Sequence, residues 1–171
     1  MAEAISGQDY LLFFRAWKNR ATESGAKLAF QTEHSIDMSK ETEATPTKDG
    51  IINTISDGDN TISITSLAYR DDAGTLTVWE KLKQLFKDNE LVEVWEVDRK
   101  SAETGGEFKA DYYQGLISSF TKSAPSDGNA ELEMEYAING SGVSGTVSLS
   151  GEQQAVAQYV FHDLAPETVT P

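Results

Sequence analysis

Alternation of apolar and polar positions dominates the chain. Leu132, Met134, Tyr136 and Ile138 fall on one side of the run Ala130 to Ile138, and Glu131, Glu133 and Glu135 on the other. That two-residue period predicts a strand with one dry face. The run Tyr112 to Lys122 precedes it, and Pro125 with Asp127-Gly128 bends the chain between them, so the pair predicts a hairpin. Tyr10 to Trp17 is a dense apolar and aromatic run of strand length, and Lys27 to Gln31 reads as its partner. Further strands are expected over Thr61–Tyr69, Leu91–Asp98, Thr146–Ser150 and 155–161. The period changes once. Leu76, Trp79, Leu82 and Phe86 recur at helical spacing, Lys81, Lys83 and Lys87 lie opposite, and Thr77 with Glu80 fits a capping box. One helix is therefore expected, packing Trp79, Leu82 and Phe86 into the core. The sum is a mainly β domain over residues 1–171: an antiparallel β-sandwich or partial barrel with one flanking α-helix and a long projecting loop.

The projecting loop is the stretch from Ile36 to Ile55. Large apolar residues are sparse there, and Ser39 to Gly50 carries none that could form a core. Thr and Glu dominate and Pro46 breaks the run, which predicts a structureless arm that becomes ordered on a partner. Residues 139–145, Asn-Gly-Ser-Gly-Val-Ser-Gly, read as a flexible link.

Charge narrows the function. The 171 residues carry a formal charge of −14, with no Cys. After Lys122 no Lys or Arg occurs in 49 residues, while seven acids do. Such a chain repels DNA or RNA, which binders hold by neutralising phosphates with Lys and Arg. The missing thiols remove disulfides and thiolate metal sites. No apolar run approaches the roughly 20 residues that span a bilayer, and the N-terminus lacks the basic and apolar segments of a secretory signal.

Candidate chemistry is weak throughout. Residues 140–145 match G-x-G-x-x-G, but Thr-Val-Ser-Leu-Ser follows where a helix should open. Asp57-Gly58-Asp59-Asn60 has the carboxylate spacing of a calcium loop without its distal Glu, and reads as a turn. His34 and His162 are the two histidines, and both read as surface residues. Glu131, Glu133 and Glu135 on one strand face resemble a solvated surface more than a catalytic carboxyl pair. Trp17, Trp79 and Trp95 all sit in segments that read as buried. No enzyme, metal site or cofactor is expected. A carbohydrate- or partner-binding sandwich on a larger particle is the alternative reading.

The order and spacing of several segments resemble the major tail protein, or tail-tube subunit, family of long, non-contractile-tailed bacteriophages. The segments are Ser6 to Leu12, the acidic arm from His34 to Gly50, Tyr113 to Phe120 with Ser123-Ala124-Pro125 and the strand after it, and the Gly140-Ser141-Gly142 link. Contractile-tail tubes and bacterial secretion tubes are further fold relatives that the resemblance implies. The resemblance implies a self-assembling subunit of the virion tail, assembled in the host cytoplasm, whose hexameric rings stack into a hollow tube. It implies that the arm (Ile36, Met38, Lys40, Glu41, Thr42, Glu43, Pro46, Lys48 and Asp49 among its residues) contacts neighbouring subunits and rings. Terminal segments 1–8 and 164–171 would do likewise. Tape-measure, tail-terminator and distal-tail proteins are the other partners it implies. The genome would pass through the lumen without specific binding, and Glu131, Glu133 and Glu135 are the candidate lumen-lining residues.

Overall fold

The structure, a computed structural model, describes residues 2–70, 76–101 and 106–149. The strand expected over 155–161, His162 and the tail 164–171 lie outside the described residues. The strands are β1 (Tyr10–Ala16), β2 (Ala26–Lys27), β3 (Gln31–Asp37), β4 (Lys40–Thr47), β5 (Gly50–Asp57), β6 (Thr61–Leu67), β7 (Val92–Asp98), β8 (Glu107–Ser123), β9 (Glu131–Ile138) and β10 (Val143–Ser148). Helix α1 (Val78–Lys87) lies between β6 and β7. One antiparallel sheet runs β2-β1-β7-β8-β9-β6-β3, with β10 also paired to β8.

The sheet rolls until its ends touch. Gln31 on β3 reaches β1, where its amide accepts from the Leu12 N–H at 3.2 Å and donates to the Leu12 carbonyl at 2.9 Å. A side-chain amide thus stands in for the peptide of a missing strand partner. Beside it, His34 on β3 meets Glu96 on β7 at 2.6 Å. His34 is therefore a seam residue, mostly shielded from water, and the surface assignment is corrected. The result is a partly closed barrel.

Alternation decides what fills it. Leu12 and Phe14, Ile62 and Ile64, Val92 and Val94, and Met134, Tyr136 and Ile138 point inward and form one core. Each fully buried aliphatic side chain contributes about 1.5–3 kcal/mol. Helix α1 plugs that core with Leu82 and Leu85, while Trp79 and Phe86 pack at its rim. The Thr77 hydroxyl accepts from the Glu80 N–H and caps the helix. Trp79 Nε1 donates to the Tyr69 carbonyl at 2.8 Å, and Phe86 stacks on Phe120. Leu76 shares the helical stripe in sequence but stands 59% exposed, just ahead of the capped turn. Trp17, Trp79 and Trp95 are half-buried rather than buried.

Three other expectations change. Residues Lys27 to Gln31 do not form one strand: only Ala26–Lys27 pairs with β1, and Phe30 takes a left-handed conformation (φ +56°) that ends the run. The glycine link is a fixed kink. β9 and β10 lie end to end along β8, and between them Gly140 and Gly142 adopt φ of +78° and +77°. A side chain at 142 would overlap the Tyr113 ring. Buried Asn60 holds the kink, donating from Nδ2 to the Gly140 carbonyl at 2.7 Å. Finally, the arm is not structureless. β4 and β5 pair over their full length as a separate two-stranded hairpin, with Pro46 opposite Ile51 near its tip.

Candidate functional site

Two surfaces stand out, and both follow from strand period. The first is the outward face of β3, β6, β9 and the second half of β8. Directly opposed residues share a face, so the register sets its composition. One row reads Ser119, Glu135, Ser63, Ser35; the next reads Thr121, Glu133, Thr65, Glu33. Glu131 lies beside Ser123, and Thr61 beside Asp37. The face thus displays Glu33, Asp37, Glu131, Glu133 and Glu135 among hydroxyls, and none of these strands places a Lys or Arg on it.

Spacing explains how the barrel tolerates this. Carboxylates two residues apart on one strand are about 7 Å apart, and Glu133 and Glu33, two strands apart, roughly 10 Å. Both distances are near the screening length of about 8 Å at physiological salt, so mutual repulsion is modest. Ser63 Oγ donates to Glu135 Oε1 at 2.6 Å, and Thr32 Oγ1 donates to the Thr65 carbonyl at 3.1 Å. The face is an anionic surface on which Glu33, Asp37, Glu131 and Glu133 are exposed and Glu135 is tied to Ser63.

The second surface is the hairpin. Every residue of β4 and β5 is exposed. One side carries Thr42, Ala44 and Pro46 with Ile51, Asn53 and Ile55; the other carries Glu41, Glu43, Thr45 and Thr47 with Ile52, Thr54 and Ser56. Ile51 is 70% and Ile55 66% exposed. Met38 precedes the hairpin and is exposed, whereas Ile36 belongs to β3 and packs against the main core. Lys48 and Asp49 form the turn, where Thr47 Oγ1 donates to the Gly50 carbonyl. At the base Lys40 pairs with Asp57 at 2.6 Å, and that contact holds the Asp57 carboxyl below its ordinary pKa. Asp57 thus closes the base of the hairpin.

Sequence reasoning missed one polar cluster. Glu93, 2% exposed, is clamped by Arg15 at 2.6 and 3.1 Å and accepts from the Tyr112 hydroxyl. Arg15 also lies over the Trp95 ring. The Glu93 contacts raise the Arg15 pKa, and burial followed by Glu93 raises that of Tyr112. The signal was present in Glu93 and Arg15, charges inside apolar strand runs, which need partners when buried. Arg15 Nη1 also donates to the Glu23 carbonyl at 3.3 Å and Gln114 Nε2 to the Tyr112 hydroxyl at 2.9 Å, so the cluster ties β1, β7 and β8 together and serves the fold. Among the described residues no group of three or more His, Asp or Glu is placed to hold a metal ion, and no helix is long and apolar enough to cross a membrane.

The comparisons with known proteins agree with one another. Residues 4–144 match the family described as phage tail tube protein. A protein of Staphylococcus phage phiMR25 named as a tail protein is 29% identical over 170 residues, covering 95% of this chain and 84% of its own. The SPP1 tail tube subunit superposes with a TM-score of 0.74 at 19% identity, over 97% of this chain and 95% of that one. A chain from the tail of an empty gene transfer agent particle, reconstructed with C6 symmetry, gives a TM-score of 0.59 at 18% identity, over 82% of this chain and 98% of that one.

Proposed function

Since the chain belongs to the phage tail tube protein family, a family of non-enzymatic structural components of the virion tail, we propose that its copies close into six-membered rings. These rings stack into a hollow tube whose channel is lined by the β3-β6-β9-β8 face. The carboxylate wall carries this reading. A conduit for a polyanion must not grip it, because each phosphate neutralised by a cation adds a trap along the path. Five carboxylates, set among hydroxyls with no Lys or Arg on the face among the described residues, meet that requirement. Six-fold closure is supported by the symmetry used for the gene transfer agent tail. The hairpin, the segment before β1 and the tail 164–171 make contacts between subunits and rings. Tape-measure, terminator and distal-tail proteins meet the channel and ends of the tube.

Replacing Glu131, Glu133 and Glu135 together with Lys tests the reading. The variant should fold and assemble tails, because its side chains face an aqueous channel, while genome ejection and infectivity fail. Normal ejection through tails built from that variant would contradict it.

A further inference from the structure

The direction in which the hairpin projects is decided at its root. β4 and β5 form a separate two-stranded sheet, and every residue of both is exposed, so packing along their length does not aim them. Lys40 and Asp57 tie the two strands to each other, which leaves the direction of the pair open. Two short connections remain, Met38-Ser39 leading in and Gly58-Asp59-Asn60 leading out. Strands of eight residues make a lever about 26 Å long, so a tilt of about 10° at the root moves the tip by about 5 Å. The root is packed accordingly. The Gly58 N–H donates to the Ser39 carbonyl at 3.0 Å, and Ser39 Oγ donates to the Asp59 carbonyl at 2.7 Å. A Cβ added at Gly58 would lie 2.7 Å from Ser39 Oγ and 3.0 Å from the Ser39 carbonyl oxygen, so a larger residue there would push Ser39 away.

One side chain joins this root to the barrel. Asn60 stands in a connection yet is only 7% exposed. Its Oδ1 accepts from the Ser39 N–H at 3.0 Å, and its Nδ2 donates to the Gly140 carbonyl at 2.7 Å. Its own carbonyl accepts from the Ile138 N–H at 2.9 Å. A carboxamide offers a donor and an acceptor on one planar group, and here each meets its opposite; an ionised carboxylate would have no donor for Gly140. The segment that Asn60 grips is itself held. The Asn139 N–H donates to the Gln114 carbonyl on β8 at 2.7 Å, and Gly140 turns at φ +78°. From this three-way junction we infer that Asn60 is the positioning residue of the hairpin. It locks the root to the β9–β10 kink, so the free subunit already holds its hairpin in one direction. A segment ordered before association loses less freedom when it meets a partner. That consequence for assembly rests on the tube reading above, whereas the aim itself is a property of the single chain.

The absence of Cys makes a direct test practical. The full chain carrying Lys48→Cys at the hairpin turn and Thr121→Cys on β8 is spin-labelled. Distances are read by pulsed electron spin resonance at a concentration below that of polymerisation. One narrow distance distribution is expected, and adding Asn60→Ala should at least double its width. Tyr136→Phe removes a buried hydrogen bond inside the barrel. It should lower the melting temperature and leave the distribution unchanged, which separates lost aim from lost stability. Gly58→Ala, which displaces Ser39 from Asn60, should broaden the distribution or shift its mean, and it decides the matter if Asn60→Ala does not fold. Asn60→Ala should also raise the concentration needed for polymerisation at least tenfold. A broad distribution in the parent chain, or an unchanged one in folded Asn60→Ala, would overturn the inference and leave the tube reading standing. Unchanged polymerisation beside a broadened distribution would overturn the consequence for assembly. Failure of the wild type to form tubes under any condition would remove the tube reading and leave the aim to the distance measurement.

Discussion

The barrel and the hairpin are built from the same kind of antiparallel pairing, yet they hold together in opposite ways. β9 buries Leu132, Met134, Tyr136 and Ile138 against the helix and the facing strands. β5 has Ile51, Ile52 and Ile55 in a comparable β-branched run and leaves all three exposed. Strand propensity is therefore similar in the two regions, and burial separates them. The buried core lies in the barrel, and the hairpin carries apolar surface that no described residue covers. Within the barrel the division recurs between faces: β1, β7 and the first half of β8 are covered on both sides, by the main core and by the cluster of Phe13, Val97, Phe108 and Ala110. The wall strands are covered on one.

Substitutions that move stability between these regions would break the comparison. The largest effect is expected at Gly115, where an added Cβ would overlap the Ala137 carbonyl oxygen on β9. Gly115→Ala should cost about 3 kcal/mol or more of unfolding free energy, measured by urea denaturation. A near-neutral result would mean the β8–β9 pairing has slack the geometry does not show. Next is Arg15→Leu, which leaves Glu93 buried with Tyr112 as its remaining hydrogen-bond partner. A loss of about 3 kcal/mol is expected, and pairing it with Glu93→Leu should recover much of it.

Tyrosine ionisation gives a smaller, pH-dependent effect. Burial, then Asp111 and Glu96, pushes the Tyr113 hydroxyl up to about 12. Burial raises that of Tyr136 further, where the hydroxyl also donates to the Val92 carbonyl at 2.6 Å. Unfolded tyrosines ionise near pH 10. Between pH 10 and 12 the unfolded chain releases protons that the folded chain keeps, so stability falls as pH rises through that window. Tyr136→Phe should cost about 1 kcal/mol at neutral pH and flatten the alkaline limb. An unchanged limb would count against the burial of this ring. Smallest is the hairpin: Ile51→Asn with Ile55→Asn should move monomer stability by less than about 0.5 kcal/mol while abolishing polymerisation. A large stability loss would place the hairpin inside the folding unit and collapse the contrast.

What could be read from the chain follows the same boundary. The period-2 runs at β6 and β9, the dense apolar runs at β1 and β7, and the Thr77-capped helix were legible because burial there follows the local pattern of apolar residues. The hairpin was not, because Thr and Glu opposite Ile look unpatterned when neither face meets a core. The seam was invisible because Gln31 and His34 act on β1 and β7, and nothing near them in sequence announces the pairing. Phe30 shows the limit most plainly: an aromatic in a strand-like run is expected to pair, and its left-handed backbone instead turns the chain between β2 and β3. For the wall, Glu131, Glu133 and Glu135 were legible from β9 itself, while Glu33 and Asp37 joined them only through the register of β3 with β6.

The central claim, that the wall lines a channel, is tested most directly by a helical reconstruction of assembled tubes carrying Glu133→Cys labelled with a compact heavy-atom thiol reagent. The account predicts label density on the inner radius of the tube. Label on the outer surface, or buried between subunits, would contradict it.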